Sequence, residues 1–451
     1  MVTLFQTEKI YKLTQVKAAM ENQIRLLPHI IAPTGTALQV FRYELPCEPI
    51  DLLTWLHNQR GKQKIYWSDR NHEFAMAGLG AAYTIEGLGA FDHQKLFYEM
   101  EDHLSSDNPH LRFYGGACFN ATTASKEWAP YQNYRFIIPQ FELFQEKDRT
   151  KFVFNVALKD ITPEKIDKYL TLLRDIDFAP TTTYRSVPIV QSCRDIPDRK
   201  GWDKMFEMII DKNGRNIYDK IVLARKSIFE FNKAIDPVAL LKHLKDQTPN
   251  CFHFCFQIDQ YEGFLGATPE RLFRQEDRAL ESEAIAGTSL QEKNIRTEKN
   301  ILEHRYVTDA IKEILSKLCD SFKADESAGL LKLQEGQHLI TRFFGKLRKG
   351  VTNDEILTLL HPTPAVAGCP KDQVMTALKK IEPFDRGWYA GPIGYVGYDK
   401  SEFAVGIRSG LVTQNQLSLF AGAGIVAQSN SQDEWEEIEN KISNFIKVFN
   451  Q

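Results

Sequence analysis

Three glutamates sit where a folded chain does not keep a carboxylate without a partner. The first is Glu303, in the stretch Thr297–Leu318 (TEKNILEHRYVTDAIKEILSKL), where Val307, Ala310, Ile311, Ile314 and Leu318 recur at spacings of three and four. That spacing is one buried face of a helix. At about 100° per residue, Glu303 falls between Ala310 and Ile314, inside the stripe. A charge buried there costs on the order of several kcal/mol unless it is paired or binds a cation. The other two lie at the far end of the chain, in SQDEWEEIENKISNFIKVF, whose apolar stripe is Trp435, Ile438, Ile442, Phe445 and Phe449. Glu434 falls within that stripe and Glu437 at its edge, an i, i+3 pair facing one way. Two helices offering inward carboxylates, with no His or Cys among them, are an oxygen donor set of the kind that suits Mg²⁺. That ion keeps some of its waters and binds jointly with an anionic substrate. For Glu303 taken alone, a salt bridge to a neighbouring Arg or Lys explains the carboxylate equally well.

Directly before the last helix comes Ala421–Val426 (AGAGIV), whose glycines let backbone N–H groups approach a ligand closely. A strand, then glycines, then a helix N-terminus is an arrangement that favours an anion. Two further groups have the character of a base and an acid. Lys220 precedes the apolar run IVLA, where loss of hydration favours the neutral amine. Glu270 follows Pro269 at the turn of GATPER, close to the core strand EGFLG. Such a pair suits general acid–base chemistry on one substrate. Periodicity does not bring Lys220 and Glu270 together, and by themselves they read first as a surface lysine and a turn glutamate.

The elements that must position these groups are legible in outline. The chain has 451 residues, 43% of them hydrophobic, enough for a large core and, by length alone, for two or three domains. Its net charge is −3 with acids and bases intermingled, which leaves no electrostatic footprint for nucleic acid or an anionic membrane. With no apolar run near about 18 residues and no charged-then-apolar leader, a soluble cytoplasmic protein is expected. Near the N-terminus Ile10, Leu13, Val16, Met20, Ile24 and Leu27 form the stripe of an amphipathic helix. The 7 cysteines include no CxxC pair. Cys251, His253 and Cys255 alternate in CFHFCFQI and would project from one strand face. A soft-metal site needs a further cluster that the sequence lacks, so core packing is the reading and disulfides are not expected.

In chain order, strand-like runs occupy Ala37–Tyr43, Lys64–Trp67, Phe74–Leu79, Leu111–Phe119, Tyr134–Phe144 and Lys151–Leu158, followed by a helix near Thr162–Arg174. The glycines of Gly78–Ala90 (GLGAAYTIEGLGA) do not stand between a strand and an immediate helix, and TIEG reads as a polar turn, so no dinucleotide loop is assigned. Ala179–Trp202, with three prolines and a threonine run, reads as a connection. Beyond it come longer apolar strands: KIVLARKSIFEF, CFHFCFQID, EGFLGATPERLF, LESEAIAGTSL, HLITRFFGKL, WYAGPIGYVG, EFAVGIRSGLV and LSLFAGAGIV. Helical stretches at Asp236–Lys245, Thr297–Leu318, Lys371–Ile381 and Asp433–Phe449 are interspersed. Without regular βα alternation, this pattern argues an α+β layered fold.

Eight segments in order, KIVLAR, FLGATPERL, EAIAGT, the KNILEH helix, HPTPAVAGCP, GWYAGPIGYVG, FAVGIRS and FAGAGIV…DEWEEIENK, resemble the chorismate-utilising enzymes. That family includes isochorismate, salicylate, anthranilate and aminodeoxychorismate synthases. The resemblance spans residues 202–451. Residues 1–200 are less diagnostic, although IYWSDRNHEFAMAGLG is similar to menaquinone-pathway isochorismate synthases. The resemblance implies the anthranilate synthase large-subunit fold: residues 1–451 as one complex α+β domain of two packed antiparallel sheets with surrounding helices, and a site in the cleft between the sheets.

It also implies roles. Glu303 and Glu437 match the Mg²⁺ ligands, with Glu434 at a position that often acts through water. Lys220 matches the lysine that activates water, and Glu270 the acid that protonates the leaving hydroxyl. Thr288, Tyr389, Arg408 and the backbone of Gly422 and Gly424 match contacts to substrate carboxylates, and His361 a histidine lining the pocket. Thr268 departs from the Ser more usual before Pro-Glu. Ammonia-using members carry Gln in place of Lys220 and draw on a glutaminase subunit. The lysine therefore implies water as nucleophile and no glutaminase partner. The expected activity is Mg²⁺-dependent isomerisation of chorismate to isochorismate. A salicylate synthase, which goes on to eliminate pyruvate, is the alternative. A catalytically dead paralogue would not be expected to retain every one of these groups.

Overall fold

The computed structural model describes residues 9–30, 40–61, 63–88, 92–120, 125–157, 161–184, 187–210, 217–289, 295–334 and 336–449. Among them, 22 strands form two antiparallel sheets and 10 helices surround them. The first sheet has twelve strands. Its centre runs from Gly368–Cys369 at one edge through Lys220–Phe231, Gln416–Ile425, Ser409–Thr413, Glu262–Thr268 and Phe252–Asp259 to Lys64–Ser68. The second has ten, with Gly336–Leu347, Ala279–Ser289, Arg271–Glu276, Lys400–Val405, Pro392–Gly397 and Arg112–Ala117 in that order. This is the expected α+β architecture.

Strands from both portions of the chain share both sheets. Lys64–Ser68 pairs with Phe252–Asp259, and Arg112–Ala117 pairs with Pro392–Gly397. Aromatic side chains join the layers: Trp67 and Phe74 meet Tyr395, while Trp128 and Tyr131 meet Phe264. Such edge-on contacts bury large apolar area with specific geometry. The helix Glu298–Leu318 lies against Ala279–Ser289, and Ser431–Phe449 lies against Gln416–Ile425. The site-bearing helices are thereby fixed to one sheet each.

Five expectations change. The run Tyr134–Phe144 is two strands, Tyr134–Ile138 in the second sheet and Phe141–Glu146 in the first. Pro139 has no N–H for a ladder, so the chain switches sheets there. TIEG is no turn: Tyr83–Gly87 is a strand at an edge of the second sheet, paired with Tyr134–Ile138, and Ile85 is its buried side chain. The connection Ala179–Trp202 contains the strand Val190–Ile196, paired with Lys220–Phe231, and the start of the helix Arg199–Met208. The first helix begins at Leu13, leaving Ile10 exposed while Val16, Met20, Ile24 and Leu27 are fully buried. The expected strand Ala37–Tyr43 is Val40–Cys47, with 37–39 outside the described residues.

Cys251, His253 and Cys255 are buried, and His253 is held by Thr248 (3.0 Å) and Ser68 (3.5 Å), as core packing requires. The cysteines are free. No helix among the described residues is long and apolar enough to cross a membrane.

Candidate active site

The site is built where the first sheet's Lys220–Phe231 and Gln416–Ile425 strands face the two carboxylate-bearing helices. In the antiparallel register Val222 lies opposite Gly424 and Ala224 opposite Gly422. Alternation along a strand puts Lys220, Val222, Gly422 and Gly424 on one face. The absent side chains matter there. A Cβ on Gly424 would stand 2.5 Å from Glu303 Oε1 and 2.9 Å from Lys220 Cε. Glycine alone leaves room for these two groups to meet. The expected result of Gly424→Ala is a kcat lower by about tenfold or more, because displacing reacting groups by a fraction of an ångström to 1 Å is costly. Its melting temperature should stay near that of the parent, and steady-state kinetics with thermal unfolding would check both.

Lys220 is fully buried, its ammonium 3.1 Å from Glu303 Oε1 and, among the described residues, otherwise without a hydrogen-bond partner. Glu303 sits on the shoulder of its helix, 12% exposed, not at the stripe's centre. The buried face runs through Asn300, His304, Val307, Ile311, Leu315 and Leu318, with Ala310 and Ile314 half-buried. A shoulder position lets the carboxylate reach a cavity while the helix packs. Glu434 is fully buried, as its place in the stripe required, and ion-pairs with Lys299. Burial, reinforced by the charge of Glu437, pushes its carboxyl up to about 7. Glu437 is half-buried, and Lys441 at 2.6 Å outweighs the loss of hydration and holds its carboxyl below the usual range.

Each of the three glutamates thus faces a lysine. Lys299 feels the charge of all three carboxylates, so they share one electrostatic neighbourhood. Among the described residues no group of three or more His, Cys, Asp or Glu side chains is gathered as a finished metal cage. The donor chemistry, carboxylate oxygens around a cation, fits a hard divalent ion.

Glu270 lines the cavity from the other side. Its backbone N–H donates to Thr268 Oγ1 (3.3 Å), a turn contact that threonine and serine hydroxyls can both make. Burial drives its carboxyl up to about 8 despite the opposing Lys220 charge, with Glu283 adding to the rise. At neutral pH it holds its proton.

The same cavity is lined by Thr288, Tyr389, Arg408, Gly422, Gly424 and Glu303, with Val222, Ile285, Val366 and Ile407 as apolar wall. Thr288 Oγ1 meets His338 Nδ1 at 3.1 Å, and the Tyr389 ring stacks on Phe420 at 5.3 Å. Arg408 holds a left-handed backbone conformation (φ 50°). Burial lowers its proton affinity to about 10, leaving it a cation.

His361 is not in this wall. Its ring packs edge-on to Phe119 (6.1 Å), its Nε2 lies 3.4 Å from the Phe119 carbonyl, and burial depresses its proton affinity to about 3. The helix Asn353–Leu360 ends just before it and delivers the ring to Phe119. Glu434 and Glu437 stand behind the lining residues.

Sequence reasoning missed Lys441 and His338, both in the wall. Lys441 carried a signal: it follows Glu437 by four residues, the spacing of a helical ion pair, and its ammonium also donates to the Gly422 carbonyl at 2.8 Å. His338 carried none. A cleft of about 660 Å³ elsewhere, lined by Asp69, Glu146, Arg271, Arg274, Tyr395 and Glu402 among others, includes none of the acid–base groups.

Comparison with known proteins follows this geometry. Residues 31–450 match the family model described as chorismate binding enzyme. The chain belongs to the chorismate-binding enzyme family. Within it, isochorismate synthase 2 of Arabidopsis thaliana, a chloroplastic protein, is 34% identical over 403 residues, covering 84% of this chain and 71% of the relative. The solved menaquinone-specific isochorismate synthase of Escherichia coli superposes with a TM-score of 0.80 at 25% identity, over 96% of this chain and 100% of that one. Anthranilate synthase component I of Streptococcus pneumoniae shares the fold, with a TM-score of 0.69 at 20% identity over 83% and 92% of the two chains.

Proposed function

We infer that this chorismate-binding enzyme is an isochorismate synthase, an isomerase that moves the ring hydroxyl of chorismate from C4 to C2. The observation that carries the reading is one cavity lined by the protonated acid Glu270 and by Glu303, whose carboxylate holds the buried Nζ of Lys220 at 3.1 Å. Lys220 takes a proton from the water that attacks C2. Glu270 delivers its proton to the C4 hydroxyl as it leaves as water. The ring double bonds shift between the two carbons, so one water enters and one departs. The desolvated cavity keeps Glu270 an acid at neutral pH, the tuning general acid catalysis needs.

Chorismate brings two carboxylates. Arg408, Lys441, Thr288, Tyr389 and the backbone at Gly422 and Gly424 are the groups in reach to receive them. Mg²⁺ would be held by Glu303 and Glu437, with Glu434 acting through water. When bound, it would neutralise substrate charge and orient the ring. The lysine at position 220 makes water the nucleophile and a glutaminase partner unnecessary. The likeness to the menaquinone-specific enzyme supports a role in quinone supply.

The test is product analysis. The full chain incubated with chorismate, Mg²⁺ and ammonium, followed by chromatography, is expected to give isochorismate. Salicylate with pyruvate as the main early product would replace this reading with salicylate synthesis. An aminated ring would overturn the role of Lys220.

A further inference from the structure

The segment IYWSDRNHEF has no part in the chemistry described so far, yet its arginine reaches the turn that carries the acid. Arg70 follows the strand Lys64–Ser68 and is almost buried. Its guanidinium forks onto Glu283, with Nη1 to Oε2 at 2.9 Å and Nη2 to Oε1 at 2.5 Å. The same Nη1 donates to the carbonyl of Pro269 at 2.9 Å, the residue that immediately precedes Glu270. Glu283 is itself buried and has a second cation, Arg271, at 3.6 Å. Arg271 is shared with Glu281 (2.9 Å) and Glu402 (3.0 Å).

We propose that Arg70 and Glu283 are positioning residues for the acid: Arg70 ties down the Pro269 peptide that aims Glu270 into the cavity, and its fork holds the Glu283 side chain in place beside that turn. This rests on Glu270 being the proton donor. A bidentate arginine–carboxylate pair is among the more rigid polar contacts a protein makes. Here it links a segment near residue 70 to the turn carrying the acid, about 200 residues away.

The charges around Glu270 set the sign. Lys220 faces it from the Lys220–Phe231 strand and Lys441 from the last helix, and both favour loss of its proton. Glu283, from the Ala279–Ser289 strand, opposes them. Arg271 and Glu402 stand beside the turn as a pair, Glu303 and Lys299 come from the Glu298–Leu318 helix, and Arg408 shares the cavity wall. Removing the negative charge of Glu283 takes away that opposition and leaves Arg70 without its carboxylate, while Arg271 keeps Glu281 and Glu402. Glu270 then loses its proton at lower pH.

The experiment is the pH profile of kcat for the full chain with chorismate and Mg²⁺. In Glu283→Gln the alkaline limb should move to lower pH by about one unit or more, with KM within about threefold of the parent. Glu283→Asp, which keeps the charge, should leave the limb in place. Arg70→Lys keeps a cation but loses the fork, and should lower kcat by about tenfold with little change in KM. If Glu283→Gln does not fold, Arg70→Lys and Glu283→Asp carry the test. A limb unmoved in Glu283→Gln, a limb moved equally in Glu283→Asp, or a parental kcat in Arg70→Lys overturns the proposal. Glu270→Gln separates the two levels. If it abolishes turnover while the Glu283 and Arg70 variants behave as parent, the acid stands and only its positioning by this pair falls.

Discussion

Lys220→Ala and Glu270→Gln should each lower kcat by about 10²-fold or more, the usual scale for a positioned proton-transfer group. KM for chorismate should change much less, because the carboxylate-receiving groups Arg408, Lys441, Thr288 and Tyr389 are untouched in both variants. The two should also differ in how they respond to pH. In the parent enzyme the acid must be protonated, so kcat falls as pH rises through the value near 8 to which burial drives Glu270. Glu270→Gln should lose that alkaline limb, since its amide does not titrate. Steady-state kinetics across pH 6 to about 10 read both effects. If the two variants kept kcat and changed only KM, Lys220 and Glu270 would be binding groups, and the acid–base assignment would fall.

Turnover should require a divalent cation and should be lost in Glu303→Gln. The substitution keeps size and hydrogen bonding but removes a full charge from a donor set that depends on charge. It also takes away the ion-pair partner of Lys220 at 3.1 Å. Because Glu303 lies on the shoulder of its helix, the buried face Val307, Ile311, Leu315 and Leu318 is undisturbed and the protein should fold. Binding of Mg²⁺ measured by calorimetry, alongside turnover in excess chelator, tests this directly. Full activity in chelator, or parental rates and metal binding in Glu303→Gln, would remove the cation from the reading.

What the sequence determined by itself was local. The period of 3.6 identified both carboxylate-bearing helices and put Glu434 on a buried face, because a helix has one stripe to bury and the stripe is written in its spacing. The ordered segments from Lys220 to the last helix carried the family resemblance, and with it the two-sheet architecture. Glycines 422 and 424 stood out because a strand ending in alternating glycines leaves backbone open.

Tertiary structure decided the rest, since periodicity describes the faces of an element and says nothing of what docks on them. It decided that Glu303, Glu434 and Glu437 each meet a lysine, from a neighbouring strand, from the other helix and from the same helix respectively. It decided that Pro139 passes the chain from one sheet to the other, where an uninterrupted apolar run suggested one strand. His361 ended beside Phe119, just past a helix that packs on His93–Glu101 and Glu298–Leu318. The link from Arg70 to Pro269 joins positions about 200 residues apart. Contacts of that range form only when the sheets close on each other, and no window along the chain contains them.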